Sequence, residues 1–214
     1  MQKNRNRWLG LAVPSLLIAG MVHAQPPAGP MPPPGAMAPA SKDPAAAPAG
    51  AYKLDLEHAS VVARVPHRGM SFNVLRFGVR EGALRWNAAK PSDISLDVTV
   101  DAKPYYAPIV YNILPEGPES LDVAQFPEMR FVSTAVRVKD GGRATIEGML
   151  TLMGVTKPAT IDAELVGVGK SMKGAATIGF TGTMIVDTAN FTDKMMAKMV
   201  GKATIILDAE FIQG

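Results

Sequence analysis

Side chains capable of chemistry are sparse in this sequence, and their spacing suits little of it. Only three histidines occur in 214 residues. Two of them, His58 and His67, lie where the sequence alternates like folded strand, nine positions apart. On a regular strand that separation sends them to opposite faces, so joint ligation of a metal would require a bulge between them. Hydrogen-bonded structural histidines are expected, and no metal site. Serines, aspartates and these histidines are present, but no G-x-S-x-G nucleophile elbow frames them as a hydrolytic triad. Neither a phosphate-cradling P-loop nor a dinucleotide fingerprint occurs. The residues predict no catalytic site and no enzyme.

Sulfur and phenol groups give two further candidates. Met195, Met196 and Met199 stand close enough together for a Cu(I) thioether site. The same spacing on a short helix gives an apolar stripe, in which flexible methionines fill irregular gaps over one end of the fold. Packing is the expected role and copper binding the alternative. Tyr105, Tyr106 and Tyr111 similarly read as a turn-rich loop capping one end, with a portal for a ligand as the functional counterpart.

The elements that would hold these residues are strands. In Ala203–Phe211 the residues Ala203, Ile205, Leu207, Ala209 and Phe211 fall on one face, and Thr204, Asp208 and Glu210 on the other. That is the period of a half-buried strand. Similar alternation runs through 94–100, 145–152 and 159–165, and Val61, Ala63 and Val65 share a face opposite Arg64 and Arg68. Segments 82–86, 129–138 and 177–186 bring the count to about eight. Two stretches break the pattern: 119–126, ahead of Pro127, predicts a short helix, and 190–200 a second short helix or a loop. An antiparallel sheet of this size is best closed into a barrel, which removes exposed edges.

The amino-terminal fifty residues are of a different kind. Lys3, Arg5 and Arg7 precede an apolar run from Trp8 to Val22 and then Val22-His23-Ala24-Gln25, the pattern of a signal peptide over 1–24. The run contains Pro14 and is shorter than the roughly 20 apolar residues of a membrane span. Residues 25–50 are almost wholly Pro, Ala, Gly and Met, which predicts an extended, disordered linker, and leaves 51–214 as the folded domain. The formal charge is +3, but three of the 22 basic residues lie in the expected signal segment, and the remaining 19 equal the 19 acidic ones. A formally neutral mature chain lacks the electrostatic footprint of a nucleic-acid binder. An exported chain with no cysteine must be held by a packed core rather than by disulfides.

Particular residues also resemble a known family. Leu150-Thr151-Leu152-Met153-Gly154-Val155-Thr156-Lys157-Pro158 is similar to the hairpin signature of the YceI-like, lipocalin-like polyisoprenoid-binding proteins of bacteria. Tyr52-Lys53-Leu54-Asp55 with His58, then Val61, Val65, His67, Gly69 and Ser71, then Phe126-Pro127 and Phe131-Val132-Ser133-Thr134 agree in order. The resemblance implies an all-β fold: an extended eight-stranded antiparallel lipocalin-like β-barrel with one or two short helices. It also implies a periplasmic, non-enzymatic protein whose interior binds a long isoprenoid lipid, a polyisoprenoid or a quinone tail, with no cofactor required. Segment 103–118 departs from the family, since prolines and three tyrosines replace its charged pairs, and head-group contacts cannot be carried over there. Ala63 stands where a phenylalanine is common.

An interior wall follows from this reading: Val61, Ala63, Val65, Leu84, Trp86, Leu96, Val98, Phe131, Leu150, Ile161, Phe180, Ile205 and Leu207 are the expected ligand-binding residues. Small inward residues Ala63, Gly148, Ala163, Ala203 and Ala209 would leave room along the axis. The expected partner is a long-chain isoprenoid lipid, with transient membrane contact and pairing of two barrels left open. A stress-linked interaction module with a solid core is the alternative, and cavity volume discriminates the two.

Overall fold

The computed structural model describes residues 39–108 and 120–214. Eight strands form one closed antiparallel barrel in sequence order: β1 (Gly50–His67), β2 (Ser71–Trp86), β3 (Ser95–Tyr106), β4 (Glu128–Val138), β5 (Arg143–Leu152), β6 (Val155–Lys170), β7 (Ala176–Asp187) and β8 (Lys202–Gln213). β8 returns to pair with β1, for example Leu207 beside Val61, so no strand edge is left open. Every expected strand is present, and each is longer than its clean alternation. β2 shows why: Phe72 and Val74 point outward while Leu75 and Phe77 point inward, so apolar residues occupy both faces and the period disappears from the sequence.

Bulges adjust the pairing where chemistry or proline intrudes. β1 shifts register between Leu54 and Ala59 against β8, and between Lys53 and Val61 against β2. In that bulge His58 Nδ1 lies 2.8 Å from Asp55 Oδ2, and the Glu57 N–H donates to Asp55 Oδ1 at 3.0 Å. β3 and β2 shift register around Pro104, which has no N–H for the ladder. Tyr105 and Tyr106, expected in a capping loop, are therefore the exposed end of β3. Tyr111 lies outside the described residues, as do the expected signal peptide at 1–24 and the linker as far as residue 38.

The last part of that expected linker is ordered, which moves the domain boundary. Ser41 and Val168 exchange two backbone hydrogen bonds of 2.8 Å. A 3-10 turn at Pro44–Ala46 follows, with Asp43 Oδ1 accepting from the Ala45 N–H at 2.9 Å. Ala47 is buried, and the Tyr52 hydroxyl donates to the Pro48 carbonyl at 2.7 Å. Composition hid this because proline and alanine segments need no core of their own when they can pack on one that already exists.

The helical expectations divide. The helix expected over 119–126 does not form; residues 120–125 make turns, with Asp122 at φ +50° and its side chain 2.8 Å from Lys194 Nζ. A left-handed residue at that place ends any helical run. The second segment, 190–200, begins at the end of a short 3-10 turn, Thr188–Asn190, and contains one helix, α1 (Met195–Val200). α1 does not lay Met195 and Met199 on the barrel: both are exposed, and Val200 packs inward, while the Met196 side chain lies outside what is described. With only six residues, α1 spans fewer than two turns, and one side suffices to bury Val200.

Candidate lipid-binding cavity

Inward positions of all eight strands enclose a cavity of about 370 Å³, near the low end of the roughly 300–1,000 Å³ of small-molecule sites. Its wall is almost wholly apolar. On β1 it runs from Leu54 to Val65 and on β2 from Leu75 to Trp86. Eleven residues at about 3.3 Å each, tilted as barrel strands are, correspond to about 25–30 Å along the axis. The space is thus long and narrow, and the interior is not solid.

Three apolar clusters form the wall. The floor joins Tyr52, Leu84, Trp86, Ile94, Leu165, Val168, Ile178 and Phe211 with Ala47 of the amino-terminal segment. Tyr52 and Ile178 there are the largest fully buried side chains among the described residues. Burial raises the Tyr52 pKa above its ordinary 10.0, which keeps the phenol neutral. Towards the other end, the rim, one side is built on Phe131, Leu150, Ile161, Met184 and Phe191. The facing side is built on Val61, Ala63, Val65, Leu75 and Phe77.

All thirteen residues expected on the interior wall line this cavity. Leu84, Trp86 and Phe180 stand at the floor, Leu96 joins floor to wall, Phe131, Leu150 and Ile161 form one side, and Val61, Ala63 and Val65 the other. Val98 packs on the side of Val61 and Val65, and Ile205 and Leu207 bridge the two sides. Ala63, Ala163, Ala203 and Ala209 leave room as expected, but Gly148 does not. A Cβ on Gly148 would come within 2.4 Å of Phe131 Cζ, so the phenyl ring already fills the space the glycine vacates. Sequence reasoning missed Leu54, Leu75, Phe77 and Met129, of which Leu75 and Phe77 were hidden by outward Phe72 and Val74, and Phe211, placed on the inward face of its strand, lines the cavity as well. It also missed Pro44, which reaches the cavity from the ordered segment before β1.

Polar groups are few, and most lie outside. Trp86 sits 5.6 Å from Phe180, and its buried indole N–H has no hydrogen-bond partner among the described residues. Such an orphan donor costs about 1–3 kcal/mol. The outer face carries cross-strand ion pairs: Arg80 with Asp101, Arg130 Nε with Asp97 at 2.9 Å, Arg137 with Glu147, and Lys139 with Asp162 at 3.2 Å. Each hydrogen bond from the base holds Asp97, Glu147 and Asp162 below the ordinary carboxylate range. His67 ends β1 far from His58, so the two share no site. His58 instead meets Asp55 and Glu210, whose ligand atoms lie within 4.8 Å of one another. This outer trio was not legible from the histidine spacing, because Glu210 comes from the far end of the chain.

The hairpin motif has a geometric cause. Leu152 pairs with Val155 across Met153 and Gly154, both at positive φ (+50° and +73°), the pattern of a two-residue type I′ turn. A Cβ on Gly154 would also lie 2.6 Å from the Phe126 ring. The hairpin signature and the Phe126-Pro127 landmark are therefore one packed unit.

Comparison with known proteins agrees with this geometry. A UPF0312 protein of Shewanella sp. (strain W3-18-1) is 38% identical over 157 residues, which covers 71% of this chain and 81% of that protein. Burkholderia cenocepacia BcnA matches in structure with a TM-score of 0.59 at 19% identity, over 73% of this chain and 98% of its own. A Campylobacter jejuni YCEI protein gives 0.55 at 18% identity, over 71% and 84%. A polyisoprenoid binding domain from Saccharophagus degradans gives 0.52 at 13%, over 76% and 98%. The model of the YceI-like domain matches residues 52–211, nearly the whole barrel, and the chain belongs to that family.

Proposed function

We propose that the protein binds one long apolar chain of the isoprenoid class, a polyisoprenoid or a quinone tail, inside the barrel and carries it through the water of the periplasm. The observation that carries this reading is the narrow apolar cavity running from floor to rim. Burying one methylene contributes roughly 0.8 kcal/mol, so about 20 carbons contribute roughly 16 kcal/mol. That exceeds most of the roughly 4–15 kcal/mol cost of association, without any polar anchor. A branched hydrocarbon fits a wall of leucine, valine and phenylalanine that offers almost nothing to a polar substrate. The Saccharophagus degradans neighbour, described as a polyisoprenoid binding domain, supports the same class of ligand. Binding rather than catalysis is the role, and the segment at 1–24 would supply export.

Native mass spectrometry of protein isolated from cells tests the reading, and an adduct with the mass of an isoprenoid lipid is expected. Ala63 is buried and faces the cavity beside Leu75 and Ile205. An indole there would obstruct the narrow space, so Ala63→Trp should reduce polyprenol uptake at least about ten-fold, the equivalent of two lost methylenes. A folded Ala63→Trp protein with unchanged uptake would sink the cavity assignment.

A further inference from the structure

The outer surface of the barrel differs between its two ends. Of the thirteen exposed large apolar side chains among the described residues, eight lie at the rim. Met70 stands in the β1–β2 turn, Phe72 and Val74 on the outward face of β2, and Tyr105 and Tyr106 end β3. Ile185 is near the end of β7, and Met195 and Met199 project from α1 immediately before β8.

Arginines are interleaved with these side chains. The β1–β2 register sets Arg64 beside Val74 and Pro66 beside Phe72, and the β2–β3 register sets Arg76 beside Tyr106. The Arg64 guanidinium lies 4.3 Å over the Phe72 ring. Further from the rim, Arg80, Arg130 and Arg137 are each paired with a carboxylate. Arg64, Arg68 and Arg76 have no carboxylate partner among the described residues. The rim thus sets apolar tips beside arginines that no described carboxylate pairs.

We propose that this rim docks on the surface of an anionic lipid bilayer. The inference rests on the lipid-carriage reading, and it names the surface where cargo is exchanged. Charge selects this occupant. Arg64, Arg68 and Arg76 have no described carboxylate to neutralise them, and a bilayer interface takes apolar tips and tyrosines into the headgroup boundary and pairs basic side chains with phosphates. Each basic residue near an anionic surface contributes roughly five-fold in binding. The cavity wall reaches this same end through Val65, Leu75, Phe77 and Val200, so docking brings the ligand space next to the membrane.

Flotation of the full-length gene product with vesicles tests the proposal. Vesicles of equal parts phosphatidylglycerol and phosphatidylcholine should bind at least about ten-fold more protein than phosphatidylcholine alone. Raising salt to about 0.5 M should remove most of that preference by shortening the screening length. Arg64→Gln/Arg76→Gln should weaken anionic binding roughly 25-fold, and Met70→Ser/Phe72→Ser should weaken binding to any vesicle. None of these residues lines the cavity, so uptake of farnesol from solution should be unchanged in both variants. Farnesol uptake with no vesicle binding, or equal binding to neutral and anionic vesicles, would overturn the docking proposal. So would self-association abolished by Met70→Ser/Phe72→Ser in place of vesicle binding. Anionic vesicle binding without farnesol uptake would uphold the docking surface and remove lipid carriage.

Discussion

Phe131 and Gly148 divide one volume between them, and this pair shows how finely the cavity wall is tuned. The ring covers the glycine, and the backbone carbonyl of Val132 lies 2.6 Å from where a Cβ would be. Gly148→Ala should therefore destabilise the barrel by about 1–3 kcal/mol, read as a lower urea midpoint, because the ring must move and the carbonyl cannot. Combining it with Phe131→Leu should recover part of the loss. On the outside, the Asp55 carboxylate raises the His58 pKa above its ordinary 6.5, and hydrogen bonding to His58 holds Asp55 below 3.8. The imidazole's contribution is complete below pH 6.5 and fades as pH rises through its raised pKa. That of the carboxylate is complete above pH 3.8 and fades as pH falls through its lowered one. The melting temperature of the parent should thus exceed that of His58→Gln in mildly acidic solution, and the difference should vanish in alkaline solution. A constant difference from pH 5 to 9 would contradict the charge pair.

At the scale of elements, strands were legible wherever one face is apolar and the other polar, as in β8. They were illegible where both faces carry apolar groups, as at the start of β2. The thirteen wall residues could be named because inward parity follows from a single alternating run. The floor could not, because it is completed by residues before Gly50 whose composition is that of a linker. The turn at 120–125 was misread for a related reason: an ion pair from Lys194, 72 positions away, holds Asp122 in a conformation that local propensity would not choose. The hairpin between β5 and β6 is the opposite case, since its glycine is demanded locally and tertiarily at once. Gly154→Val would meet both the positive φ and the Phe126 ring. It should lower stability by about 2–4 kcal/mol, judged from the combined cost of a left-handed β-branched residue and overpacking. Thermal unfolding followed by circular dichroism measures that loss, and a change below about 1 kcal/mol would mean that the turn can refold in another type.

For the whole molecule, the ends of the sheet differ as much as its faces. At the floor the amino-terminal segment packs with the fully buried Tyr52 and Ile178, and the cavity wall there also includes the exposed Val138 and Arg143. The rim carries eight of the thirteen exposed large apolar side chains, with Arg64, Arg68 and Arg76, which have no carboxylate partner among the described residues. Composition did not indicate this polarity, because a formally neutral balance says nothing about where charges are left uncompensated.

Closure of the ring through β1 and β8 also governs how the chain acquires its structure. The first strand made waits for the last, and residues 50–67 find their second partner only when 202–213 have been synthesised. Until then the nascent sheet is an open ribbon with two unpaired borders, sticky towards other chains. Sealing it requires a loop of some 150 residues to close, and contacts of that separation form late and slowly. The interval before the seam closes is when a hydrocarbon chain could be enclosed rather than threaded. Assembly in the presence of lipid should then yield a filled barrel more readily than soaking a finished one.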